Sequence, residues 1–259
     1  MAHPGLLEQV YVLGRRAFFR VLRQPGQLIF PFVFPIILFA VNAAGLNPAT
    51  KLPGFPTSDY KDFALAVPFM QGALFVAINA GTDLASDIEN GFLNRLSLTP
   101  MLAPALLAGQ LGGVLLVSIV QAIVYVCVGL IVGVGFASGP AGVLVLLVLA
   151  TLIGFAFAGI GALLALRFGS GEAVQGFFPL LFVLVFLSSS SLPRNLISTD
   201  WFRTVATYNP VSYLIEGIRS LIITGWDGQA LAMAFGIALA ITVGSLGLSS
   251  VALRGRLGR

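Results

Sequence analysis

The residues that ordinarily do covalent chemistry are scarce in this chain. One histidine, His3, and one cysteine, Cys127, are present, and between them they cannot supply a serine–histidine–acid set or a tetrahedral metal site. No GxxxxGK[ST] stretch occurs, so the backbone nest and lysine that hold nucleotide phosphates are missing. No catalytic residue, metal or cofactor is expected in the chain itself. Polar residues do cluster in "DLASDIENGFLNRLSLTP", residues 83–100, where Asp83, Asp87, Glu89 and Arg95 interrupt apolar sequence. This composition suits recognition. A short helix would place Asp87, Glu89, Asn90 and Arg95 on wet faces and offer Leu84, Ile88 and Leu96 as apolar contacts, with Gly91 admitting a second backbone and Pro100 ending the turn. A solvated loop would need nothing more than this; so would a knob that receives motion from a soluble motor.

The elements that must carry this segment are membrane helices. Of 259 residues, 58% are hydrophobic and 9% charged, with a mean hydropathy of +0.98, whereas soluble domains carry about 25% charged residues. The apolar material comes in blocks near the length of about 20 residues that a helix needs to cross a bilayer. It lacks the alternating pattern of a barrel. The expected fold class is an all-α polytopic membrane protein with six spans: 28–46, 63–82, 105–134, 142–166, 173–190 and 229–251. With both termini inside, nine Lys and Arg lie on the cytoplasmic side and five outside, the bias of the positive-inside rule. The net charge of +4 therefore reads as orientation, because no basic domain exists to hold nucleic acid. A single cysteine excludes a disulfide within the chain. No cleavable signal peptide is expected, since the first apolar run begins near Leu28 behind four arginines.

Between the spans, three segments stand out. Residues 1–27 place Leu7, Val10, Tyr11, Ala17, Phe18, Val21 and Leu22 on one side of a helix and Arg15, Arg16, Arg20 and Arg23 on the other. This suits an amphipathic helix lying in the cytoplasmic interface as an anchor, with or without a role in holding a partner. Residues 83–104 form the cytoplasmic segment already described. Residues 191–228 are too long for a turn. From Asn209-Pro210 onward Leu214, Ile218, Leu221 and Ile222 make an apolar stripe, with Ser212, Glu216 and Arg219 facing away. About 14 residues at 1.5 Å each fall short of a crossing, so this helix is expected to be re-entrant or interfacial, with Pro210 in its first turn.

The six expected spans contain no Asp, Glu, Lys, Arg or His, which disfavours proton-coupled transport, where such groups act within the bilayer. If the chain does work, another chain supplies the energy. Pro68 and Pro179 should bend the second and fifth spans. Gly109 and Gly113, Gly129 and Gly133, and Gly154 and Ala158 recur at the spacing that lets helices pack closely. Gln71, Asn79, Gln121 and Gln175 are amides that need partners if buried.

"DIENGFLNRLSLTPMLAPALLAGQL" resembles the cytoplasmic segment of ABC-2-type transporter permeases, an acid, then Gly, then apolar residues and a Thr-Pro ending before the third span. "YNPVSYLIEGIRSLI" is similar to the Asn-Pro, aromatic, Glu-Gly-Arg stretch that the family places before its last span. The order of elements agrees along almost the whole chain, making residues 1–259 one transmembrane domain, and the nearest likeness is to the daunorubicin-resistance type of bacterial exporter. The resemblance implies that Asp87, Glu89, Gly91, Asn94 and Arg95 form a coupling helix docking on an ATP-binding subunit. It also implies that Asn209, Pro210, Glu216, Gly217 and Arg219 form an external motif, in which Glu216 can pair with Arg219 one turn on. The second and fifth spans would line the seam of a dimer, leaving Phe69, Phe75, Phe177, Phe178, Phe182 and Phe186 as pathway candidates. It further implies two copies of a partner that holds ATP and Mg, a homodimer or a heterodimer with a related permease, a bacterial cytoplasmic membrane, and export of a hydrophobic or amphipathic drug-like molecule or lipid. The rival reading is a secondary carrier or a membrane scaffold with no ATPase partner.

Overall fold

The computed structural model describes residues 25–91 and 103–257. Among them the chain is built from helices in the order α1 (Pro25–Gly45), α2 (Tyr60–Ala64), α3 (Ala66–Glu89), α4 (Ala103–Ile131), α5 (Gly139–Phe168), α6 (Gly171–Gly176), α7 (Phe178–Phe186), α8 (Asp200–Tyr208), α9 (Pro210–Ile223) and α10 (Gly228–Leu257), with 3₁₀ turns at Asn47–Lys51 and Arg194–Leu196. Among the described residues four stretches are long and apolar enough to cross a membrane: Tyr60–Glu89, Gly112–Ile131, Gly139–Phe168 and Gly228–Arg256. The first and fifth expected spans are shorter apolar helices, Ile29–Gly45 and Gly171–Phe186. The interfacial helix expected over residues 1–27, with Arg15, Arg16, Arg20 and Arg23, lies outside the described residues except at its last few positions.

Prolines decide where helices break. Pro68 has no N–H for the Ala64 carbonyl, and the second span is interrupted at Leu65, between α2 and α3. Pro179 leaves the Gln175 carbonyl without its helical donor, and the fifth segment is divided at Phe177, between α6 and α7. In α1, Pro35 removes the bond to the Pro31 carbonyl without ending the helix. That carbonyl is met from α4 instead: Gln121 Nε2 donates to it at 3.1 Å and the Tyr125 hydroxyl at 3.0 Å. The buried amide at Gln121 thus has a helix as its partner.

The span made by α2 and α3 is the axis of the molecule, with 89% of its most apolar stretch buried inside the chain, against 17% for α10. Small residues set the spacing around it. A side chain at Gly161 of α5 would overlap the Ala77 carbonyl, and one at Gly81 would stand 2.7 Å from the Gly161 oxygen and from the Val174 side chain of α6, so α3 and α5 meet backbone to backbone and α6 packs a side chain into their crossing. Gly154 of α5 leaves room for Ser118 of α4, whose hydroxyl lies where a side chain would begin. Of the amides singled out, Gln175 is exposed, whereas Gln71 is buried and its Oε1 has no partner among the described residues.

Candidate functional site

The polar segment after the second span is differently built from the expectation. Asp83, Asp87 and Glu89 are not on a separate short helix but on the last two turns of α3, which runs on to Glu89. The physical reason is that nothing between Pro68 and Glu89 breaks the backbone ladder. Asp87 is only 6% exposed, and Asp83, Asp87 and Asn90 are all engaged. Glu89 turns back into its own chain, its Oε1 accepting from the Gly171 N–H at 3.1 Å. Gly91 follows the cap residue Asn90 with φ 65°, and no described residue lies within 4 Å of where a side chain would begin. It is the left-handed residue that ends the helix, a position that favours glycine. Asn94 and Arg95 lie outside the described residues. At the same end of the bundle, Arg256 Nε donates to the Leu166 carbonyl at 2.6 Å, closing the end of α5.

At the opposite end, the carbonyls left open after α7 are met by side chains from distant helices. Asn209 caps α9, accepting from Val211 N–H at 2.9 Å, while its Nδ2 donates to the carbonyls of Leu184 at 2.7 Å and Leu187 at 3.0 Å. Arg219 donates from Nε to the Phe63 carbonyl at 3.1 Å, from Nη1 to Ser189 at 3.0 Å and from Nη2 to Ser190 at 3.2 Å, with its guanidinium 3.4 Å from the centre of the Phe63 ring. The Tyr60 hydroxyl takes the Ser191 carbonyl at 2.6 Å. Ser212 accepts from Ser189 N–H at 3.1 Å and donates to the Ala206 carbonyl at 2.6 Å.

Two expectations about this motif are corrected. Ser212 and Arg219 do not face away from an apolar stripe; both are buried, because α9 is enclosed on nearly every side. Glu216 does not pair with Arg219 but with Arg194, whose guanidinium also lies 4.4 Å over the Tyr213 ring. Open backbone carbonyls claim all three Arg219 nitrogens, so Glu216, on a less buried face, finds another cation. Burial lowers the pKa of Arg219, countered by Glu216 and Tyr60. For Arg194 burial also opposes the charge, but Glu216 and Tyr213 outweigh it and hold the group above its ordinary value. Pro210 opens α9 and Gly217 abuts Ala234 of α10, where a side chain would overlap.

Of the six phenylalanines singled out, four come together. Phe178 lies 5.2 Å from Phe75 and 5.4 Å from Phe182, which lies 5.2 Å from Phe186. The row is completed by Phe30 and Phe34 of α1, each within 6 Å of Phe75, with Phe34 also 6.1 Å from Phe182. Phe69 and Phe177 are elsewhere, packed on Tyr125 at 5.4 Å and on Phe168 at 5.1 Å. Residues 30 and 34 are a helical turn apart, and that spacing was the available signal; nothing local tied them to Phe75. Along the same side of α1, Ile29, Val33, Ile37 and Val41 recur every fourth residue and are exposed, as are Leu180, Val183 and Phe186 on α7. Arg194 and the Gly81–Gly161 crossing were also missed, since each acquires its meaning only from a distant partner.

A protein-family model described as "ABC-2 type transporter" matches residues 8–223. The chain is 28% identical over 194 residues to the daunorubicin resistance ABC transporter permease protein DrrB1 of Streptomyces coeruleorubidus, covering 73% of this chain and 65%, just under two thirds, of that protein. It is 29% identical over 229 residues to the transport permease ycf38 of Porphyra purpurea, with 86% and 77% covered, and 28% identical over 227 residues to that of Pyropia yezoensis, with 84% and 75% covered. With the family match extending from before α1 to the end of α9, across both the acidic end of α3 and the Asn209–Arg219 clamp, this chain belongs to the ABC-2 type transporter family.

Proposed function

We propose that the chain is the permease subunit of an ATP-driven exporter, energised by a separate ATP-binding subunit that holds ATP and Mg. The observation that carries this reading is the family match joined to the architecture of α3: one long buried helix has the acidic end at one extremity and packs Phe75 into the aromatic row nearer its middle. Two ATP-binding subunits serve a pair of permeases, either two copies of this chain or one with a related permease. The segment of Gly91, Asn94 and Arg95 docks on them from the cytoplasm. Six crossings are reached when the shorter helices α1 and α6–α7 join the four long ones, with both termini inside a bacterial cytoplasmic membrane and α8 and α9 at the outer interface. The exposed faces of α1 and α7 meet across the seam of the pair, and the phenylalanine row borders the route. Its lining favours a hydrophobic or amphipathic cargo, a drug-like molecule or a lipid; the relative named for daunorubicin resistance supports an antibiotic among such cargoes.

Copurification tests this reading. The permease isolated in lipid from its native membrane should bring down a soluble chain bearing a Walker loop and show vanadate-sensitive ATP hydrolysis. Gly91→Leu, which is strained at φ 65°, should lower the yield of that chain about tenfold, the effect of losing about 1.4 kcal/mol of contact, while inserting normally. A permease that retains no such partner under conditions preserving membrane complexes would support the carrier or scaffold reading instead.

A further inference from the structure

We propose that Glu89 is a latch inside the permease, making the short helix α6 move together with the end of α3, so that displacement of the segment beyond Gly91 reaches the aromatic row through α7. This deepens, and rests on, the reading that an ATP-binding subunit moves that segment. Glu89 would otherwise be assigned to the partner, as an exposed acid beside the docking residues. Its carboxylate instead accepts from the Gly171 N–H, one of the amides at the start of a helix that lack a carbonyl within it. Ser170 meets a second, accepting from Ala173 N–H at 3.1 Å. Below this bond Val174 is fully buried in the notch where Gly81 and Gly161 bring α3 and α5 together. A displacement of the α3 end therefore carries α6 with it, through one polar bond and one close-packed contact.

The other end of α6 is free to bend. At Phe177 the regular ladder is interrupted, its N–H turning to the Val174 carbonyl at 3.2 Å, and Pro179 supplies no N–H to the Gln175 carbonyl. Beyond this hinge α7 holds Phe178 and Phe182 against Phe75 and Phe34. Its far end is fixed by the Asn209 side chain on the Leu184 and Leu187 carbonyls. A helix pinned at its far end and pushed at its near end through a hinge tilts. That tilt changes the ring contacts facing the seam without breaking the external clamp.

The test uses two measurements. In the purified permease without nucleotide, the peptide covering 171–176 should take up deuterium about threefold faster in Glu89→Ala than in the wild type, while Glu89→Gln, which keeps an acceptor oxygen, should stay near it. In the permease with its ATP-binding subunit, in a Cys127→Ser background, spin labels at Ser86 and Ala173 should keep their separation on adding ATP and vanadate, and labels at Ala173 and Leu180 should change theirs. In Glu89→Ala the first separation should change as well. Equal deuterium uptake in the alanine variant, or a wild-type Ser86–Ala173 distance that shifts with nucleotide, overturns the latch. So does loss of the ATP-binding subunit from Glu89→Ala with uptake unchanged, which would make Glu89 a docking residue. The uptake measurement needs only the permease, so failure of the latch is distinguishable from failure of the transport reading.

Discussion

Arg219 joins two irregular places in the chain, the break at Leu65 and the exit from α7, by donating to a carbonyl at the first and two at the second. Each carbonyl left buried without a donor costs about 1–3 kcal/mol. Arg219→Met, which keeps bulk and loses every donor, is therefore expected to lower stability by several kcal/mol, read as a fall of the unfolding midpoint in detergent. Arg219→Lys should recover only part of it, because one ammonium on a flexible stem cannot reproduce a planar fork. A variant as stable as the wild type would show that these carbonyls find other donors. Pro210 was visible in the sequence as a residue of the first turn of α9, but the cap that Asn209 supplies was found only in the structure. Nor were its bonds to the Leu184 and Leu187 carbonyls legible in the sequence, because they depend on which carbonyls the end of α7 leaves within reach.

At the scale of elements, the proline inside α1 is answered from a neighbouring helix. Pro35 opens the Pro31 carbonyl, and Gln121 and Tyr125, four residues apart on one face of α4, close it. Gln121→Leu with Tyr125→Phe should cost about 1–3 kcal/mol in the wild-type background. Combined with Pro35→Ala, which restores the helical donor, the same pair should cost much less, a non-additivity measurable as a double-mutant cycle on unfolding midpoints. Strictly additive costs would mean that Gln121 and Tyr125 stabilise α4 for another reason. Positions of helices were legible in the apolar blocks, and both proline breaks followed from Pro68 and Pro179. The continuation of α3 through Asp83 and Asp87 to Glu89 was not, since acids in a sequence read as the end of a span although they are compatible with a continuing helix.

At the scale of the whole molecule, one end gathers the finish of α3, α5 and α10 with Arg167, Arg254 and Arg256, and the other gathers α2, α8 and α9 with Trp201, Tyr208 and Trp226 exposed. Trp and Tyr at this level suit a membrane interface. In a Cys127→Ser background, an impermeant thiol reagent applied to intact cells should label Lys51→Cys and Arg203→Cys but reach Arg254→Cys only after permeabilisation. The reverse pattern would invert the topology and place the acidic end of α3 outside, where no ATP-binding subunit could meet it.

The sequence by itself determined that this is a helical membrane protein, because hydropathy is an additive property of composition. It also marked the ends of α3 and α9 as unusual, because a polar motif in an apolar chain needs no partner to be noticed. Tertiary structure alone decided who satisfies whom: Glu216 with Arg194, Arg219 with backbone, Gln121 with a proline-freed carbonyl, Phe30 and Phe34 with Phe75. These pairings join residues far apart in sequence, and in an apolar interior each polar group takes whichever donor or acceptor the packing of helices brings within about 3 Å.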